Sequence, residues 1–175
     1  MFCTNIDISN QCVTHRPNNQ LATALITETN LGVRASDIVK LRMCDIVKDG
    51  SHYRLDIIEQ KTSKKRKFPV HPNFYTYLVE YCNKHNIGPQ ARIFPITTRN
   101  LQKLLKPLGE YLNIERFSTH SCRKFAGQSL YESSGHNINL VCEFLQQSDT
   151  KTTMAYLNLS SAELEKELEN HCILM

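Results

Sequence analysis

The sequence has no apolar run close to the about 20 residues a membrane-spanning helix requires, and no membrane partner is expected. Its amino terminus, MFCTNIDISN, lacks the basic start and apolar stretch of a secretory leader. A cytoplasmic protein is the default expectation. Among seven cysteines (Cys3, Cys12, Cys44, Cys82, Cys122, Cys142 and Cys172) there is no CxxC pair. The odd count and irregular gaps give neither a zinc spacing nor a disulfide framework, so reduced thiols serving as small core residues are expected. There is also no internal repeat, no low-complexity tract and no Pro/Gly-rich linker. One domain over residues 1–175 is the simplest organisation, and that length suffices for a real core.

What is present is ordinary in bulk and uneven in detail. Apolar residues make up 41% and charged residues 22%, with a net charge of +4. That excess alone barely favours a polyanion, because clustering matters more than the total. Clustering does occur: KTSKKRK, from Lys61 to Lys67, holds five cations in seven positions, whereas the tail stretch SAELEKELEN is acidic.

Periodicity predicts a mainly helical chain. Asn18–Asn19 is placed to cap a first helix carrying Leu21, Ala24 and Leu25 inward, and Gly32 breaks it. A short helix follows with Ile38, Val39 and Leu41 inward and Asp37 in its first turn. HYRLDIIEQ and KRKFPV read as two strands of a basic hairpin with Lys61 at its turn. Pro72 can open the next helix, which Gly88–Pro89 stops. Thr98 is predicted to cap a helix that Pro107 kinks or divides. Helices are then predicted over about Thr119 to Ser134 with Gly135 after it, over Ile138 to Leu145, and around Tyr156. Ser160 with Glu163 matches a capping box for a terminal helix over residues 160–175. The fold class is mainly α with a small antiparallel β-sheet (α+β).

Several residues could carry chemistry. His120 and Arg123, three apart on a helix, project from nearly one face and can present an imidazole and a forked guanidinium to one phosphate. Arg34 follows Gly32 at a helix start, where free backbone N–H groups also favour anions. Each has a plain alternative: an exposed His–Arg pair, a surface arginine beside Asp37, a loop lysine at Lys61, and a tyrosine packing a helix at Tyr156.

Their order is more telling than any one of them. Arg in a G-x-R turn, Lys in a hairpin, HxxR, then a tyrosine thirty-three residues after the second arginine resembles the phage-integrase family of tyrosine recombinases, specifically their catalytic domain. The segments that carry the resemblance are LGVRASDIVKLRMCDI, EQKTSKKRKFPVHP, THSCRKFAGQSLYESSGHNINLVCEFL and TTMAYLNLS, spanning about Gln20 to Leu159. The resemblance implies that Arg34, Lys61, His120 and Arg123 are catalytic, with Asp37 supporting and Tyr156 the nucleophile. Lys64 or Lys65 could be misread for the hairpin lysine if the turn register differs. It further implies double-stranded DNA as partner, held partly by Lys64, Lys65, Arg66 and Lys67 of the hairpin. The implied reaction is site-specific recombination through a 3′-phosphotyrosyl link, with no metal or high-energy cofactor.

Two departures accompany the resemblance. The family commonly reads L-G-H-S where this chain has Leu145-Gln146-Gln147-Ser148, which puts Gln147 in the histidine's place, nine residues before Tyr156. Glutamine can donate a neutral hydrogen bond to phosphate but carries no proton or charge, so catalysis is expected in weakened form, with an inactive DNA-binding relative or a topoisomerase-like relaxing enzyme as alternatives. Only about twenty residues precede the first matched segment, so no helical DNA-clamping domain is expected here. In the resembled family the segment after the tyrosine often docks on a neighbour, and Leu164, Leu168 and Cys172 suit either that contact, in a tetramer on DNA, or packing on their own domain. A nucleoid-associated or mobile-element setting follows from the same resemblance.

Overall fold

The structure, a computed structural model, describes residues 18–157. The predicted terminal helix, with Ser160, Glu163, Leu164, Leu168 and Cys172, lies outside the described residues. The chain divides after Arg123 into two units.

The first unit opens with α1 (Asn19–Leu31), whose first turn is closed by Asn18: its Oδ1 accepts from the Leu21 N–H at 3.0 Å. Gly32 ends the helix at φ 56°, and its N–H returns to the Glu28 carbonyl. This left-handed cap is the one position near the site where glycine's freedom is required. Helix α2 (Ala35–Ile38) follows at once, with Arg34 as its N-cap residue and Asp37 in its first turn. A single 3₁₀ turn, Met43–Asp45, leads into the sheet.

The sheet has three antiparallel strands, β1 (Ile46–Asp49), β2 (His52–Ile58) and β3 (Lys65–Val70), in that order. The predicted hairpin is thus extended by β1, a four-residue edge too short to announce itself by period. Leu55 lies opposite Ile46 on one side and Phe68 on the other, and its side chain is fully buried. Because successive side chains alternate faces, Arg66, Phe68 and Val70 turn inward while Lys65, Lys67 and Pro69 turn toward solvent.

Helix α3 (Pro72–Lys84) starts on Pro72 as expected, and His71 Nδ1 accepts from the Asn73 N–H at 3.2 Å. Helix α4 (Thr98–Tyr111) is capped by Thr97, one residue before the predicted cap, and it runs through Pro107 undivided. Pro107 and Lys103, whose carbonyl loses its donor, both lie on the exposed face, where water can satisfy that carbonyl. Leu31, Ile38, Leu55, Leu78, Phe94 and Leu105 form the centre of this unit's core, each worth roughly 1.5–3 kcal/mol of burial. Cys82 and Cys122 are buried thiols, Cys44 and Cys142 half-buried ones, and all four are free.

Helix α5 (Thr119–Ser133) contains the division between the units. In the second unit, α6 (Ile138–Leu145) and α7 (Thr150–Leu157) gather Val141, Leu145 and Leu157 into a small core. Gly127 admits the close approach there: a Cβ would lie 2.9 Å from Leu145 Cδ1 and 3.1 Å from Leu157 Cδ2. Asp149 starts α7 by accepting from the Thr152 N–H at 2.7 Å. No helix among the described residues is long and apolar enough to cross a membrane.

Candidate active site

Arg34 stands where α1 ends and α2 begins, its position set by the Gly32 turn. Its Nη1 donates to Glu59 Oε2, leaving the side chain 18% exposed. Glu59 follows β2 and is fully buried, with Oε1 accepting from Arg66 Nη1 at 2.9 Å and Oε2 also accepting from Thr62 Oγ1 at 3.0 Å. Burial alone would raise the Glu59 carboxyl, but hydrogen bonds from Arg66 and Thr62 and the charges of Arg34 and Arg66 outweigh it and hold its pKa below the ordinary value.

Asp37 is buried beside this pair. Its Oδ1 accepts from the Gln60 backbone N–H at 2.8 Å. Burial raises its pKa, opposed by that hydrogen bond and by the charges of Arg34 and Arg123, while Glu59 adds to the rise. Asp37 therefore senses both arginines, which the sequence places far apart. Arg123 is 3% exposed and also faces Glu28 and Arg66 electrostatically. Three guanidiniums and three carboxyls thus share one region of the first unit, an environment able to hold positive charge ready for an anion in partly dry surroundings.

Lys61 sits at the tip of the β2–β3 hairpin, exposed, as the sequence predicts. Lys40 reaches the neighbouring Gln60 side chain. His120 is exposed on the first turn of α5, whereas Arg123 points inward. Thr119, Cys122, Arg123 and Ala126 form the buried stripe of the helix, and His120 lies at its edge.

Arg66 departs from the expected DNA-contacting set. Its side chain is 1% exposed, its Nη2 donates to the Leu31 carbonyl at 2.8 Å, and its guanidinium lies 4.8 Å from the Phe68 ring centre. Burial lowers its pKa to about 10, with Glu59 opposing, so it stays charged at neutral pH. The cause is strand alternation, which sends Arg66 to the core face. Lys64, Lys65 and Lys67 remain toward solvent, with Lys65 Nζ 3.2 Å from Asp56. Glu59 was missed as a site residue although the same alternation, from Leu55 through Ile57, would have placed it inward. Glu28 was missed because an acid on the buried face of α1 breaks the helical pattern rather than belonging to a motif.

The second unit holds Gln147 and Tyr156. Tyr156 is half-buried on α7, its ring packed against the Val141–Leu145–Leu157 cluster. Gln146 adopts φ 47° and ψ 47°, a left-handed conformation that costs a side chain-bearing residue about 1–2 kcal/mol. The turn therefore survives the glutamine. Gln147 N–H bonds the Cys142 carbonyl at 3.0 Å and its own carbonyl accepts from Cys142 Sγ at 3.3 Å. Its Oε1 is shut from solvent and has no hydrogen-bond partner among the described residues.

The family model "Phage integrase family" matches residues 6–163. Two curated relatives are tyrosine recombinase XerD of Rickettsia prowazekii (strain Madrid E), 26% identical over 160 residues, and of Rickettsia bellii (strain RML369-C), 28% identical over 159 residues. Each alignment covers 80% of this chain and 51% and 52% of the relatives, respectively, so the chain spans about half their length. Among solved structures, XerH site-specific recombinase in a post-cleavage complex with palindromic difH substrate superposes with a TM-score of 0.70. It is 19% identical, covering 85% of this chain and 44% of that one. A lambda integrase dimer bound to a COC′ core site gives 0.62 at 17% identity, covering 79% and 42%. These likenesses establish a shared fold.

Proposed function

Since this chain belongs to the phage integrase family, we propose that it breaks and rejoins DNA strands in site-specific recombination. The observation that carries the reading is that Arg34, held by Glu59, and Asp37, held by the Gln60 N–H next to Lys61, meet at the foot of the hairpin, where the charge of the buried Arg123 is also felt. A phosphodiester resists nucleophiles because its charge repels them, and two preorganised guanidiniums oppose that charge as it grows on the non-bridging oxygens. Each such electrostatic contact is worth on the order of 10²–10³ in rate.

Tyr156 Oη attacks phosphorus, its proton passing to His120, because an unperturbed phenol with pKa about 10 is a poor nucleophile at neutral pH. The P–O5′ bond breaks as the P–O bond to Tyr156 forms, and Lys61 delivers a proton to the departing 5′ oxygen. The Gln147 amide donates a neutral hydrogen bond to the phosphate. A second 5′-hydroxyl then attacks the phosphotyrosyl link, so the bond is exchanged without loss. Lys64, Lys65 and Lys67 neutralise flanking phosphates. The reaction takes place in the cytoplasm, on nucleoid or mobile-element DNA, with protomers assembling as a tetramer on it.

The test is a randomised library of duplexes, each nicked once so that cleavage is irreversible, incubated with the protein without metal. Covalent protein–DNA adducts are expected from the wild-type chain and none from Tyr156→Phe. DNA binding with no adduct from any duplex would overturn catalysis in favour of a binding module.

A further inference from the structure

We propose that Glu59 and Arg66 form a positioning strut that fixes Arg34 and the Lys61 hairpin as one unit, an inference that rests on the strand-cleavage reading above. Each end of the strut is tied at a defined atom. Glu59 divides its two oxygens, Oε1 to Arg66 at 2.9 Å and Oε2 to Arg34 and to Thr62. Arg66 uses its other terminal nitrogen on the Leu31 carbonyl at 2.8 Å. That carbonyl is one of those a helix C-terminus leaves without an internal donor, and it immediately precedes the Gly32 turn that aims Arg34.

The hairpin is secured from both sides of Lys61. Gln60 donates its N–H to Asp37 on the Arg34 side, and Thr62 donates to Glu59. Lys61 itself is exposed, so its placement comes from its two neighbours. Arg34, in turn, gives one guanidinium nitrogen to Glu59 and retains further donors for a ligand.

The chemistry explains why such a link is needed. Arg34 and Lys61 serve different oxygens of a single phosphate, one non-bridging and one leaving, and a misplacement of about 1 Å costs about 100-fold. Stability does not account for the pair. Glu59 and Arg66 are 0% and 1% exposed, and a buried ion pair can often be exchanged for apolar residues of similar volume without loss of stability.

That exchange is also the experiment. The full chain carrying Glu59→Leu with Arg66→Met is compared with wild type for urea stability and for the rate of adduct formation on nicked duplexes. We expect a chain that still folds cooperatively, its urea midpoint lowered because Arg34 and the Leu31 carbonyl lose a partner, and an adduct rate at least about 100-fold lower. Glu59→Gln is expected to slow wild type but to have little further effect in an Arg34→Ala background. A folded double variant with the wild-type rate would overturn the strut. Should the double variant unfold, Arg66→Lys decides: its point charge cannot span both acceptors, so slowed cleavage with native stability supports the strut and an unchanged rate rejects it. A readout independent of cleavage is the ¹⁵N signal of the Arg34 guanidinium in DNA-free protein. Hindered rotation lost in Glu59→Gln supports the strut, and free rotation in wild type rejects it. Absence of an adduct from wild type would count against strand cleavage alone.

Discussion

Replacing Glu28 by glutamine tests whether burial sets the charge state beside Arg123. Glu28 is 1% exposed on α1, and burial pushes its pKa from 4.5 to about 8, with Arg123 offsetting only part. Between those two values the folded chain keeps a proton that the unfolded chain releases. Folding therefore takes up a proton, and stability declines as pH rises from the unfolded value through the folded one. At about 1.36 kcal/mol per pKa unit, the decline attributable to Glu28 from about pH 5 to about pH 8 is about 3 kcal/mol. Glu28→Gln keeps a neutral side chain of similar shape and removes that titration. Its stability advantage over wild type should widen by about 3 kcal/mol across this range, or about 6–12 °C in Tm for a chain of this size. Urea titrations of both proteins at several pH values measure it directly. Parallel stability–pH curves would refute the reasoning, since they would mean Glu28 titrates alike folded and unfolded. Above about pH 8 the ionised carboxyl also draws on the charge of Arg123, so adduct formation should fall in wild type more than in Glu28→Gln.

Gln146→Gly should raise stability by about 0.5–1 kcal/mol, because relief of the left-handed backbone outweighs glycine's greater unfolded freedom; a lower Tm would contradict this. Alanine at Lys64, Lys65 or Lys67 should each reduce the salt slope of duplex binding by roughly 0.9. Arg66→Ala should instead destabilise the fold by about 3 kcal/mol, because Glu59 Oε1 and the Leu31 carbonyl lose their buried donor while Arg34 still pairs Oε2, and a folded Arg66→Ala with a reduced salt slope would reverse that assignment. Gln147→His should accelerate adduct formation roughly five- to tenfold at pH values where the imidazole is charged, the margin of a charge-assisted over a neutral hydrogen bond. An unchanged rate would show that the glutamine is no handicap.

The sequence by itself determined the elements and the motif order. Asn18, Gly32, Pro72 and the Ile138–Leu145 run act within a few residues, so local chemistry sufficed to place α1, its end, α3 and α6. The order of Arg34, Lys61, His120, Arg123 and Tyr156 was legible for the same reason, because a motif is a property of the chain. Local rules failed where solvent decided: Pro107 sits inside α4 because its face is wet. They failed again where burial decided. KTSKKRK reads as one basic run, yet the pleat sends Arg66 into the core and leaves its lysine neighbours outside. Only the tertiary structure brought Glu59 between Arg34 and Arg66, and Glu28 to Arg123. Charge compensation in a dry interior depends on which groups meet in space, and the spacing of residues along a chain carries no record of that.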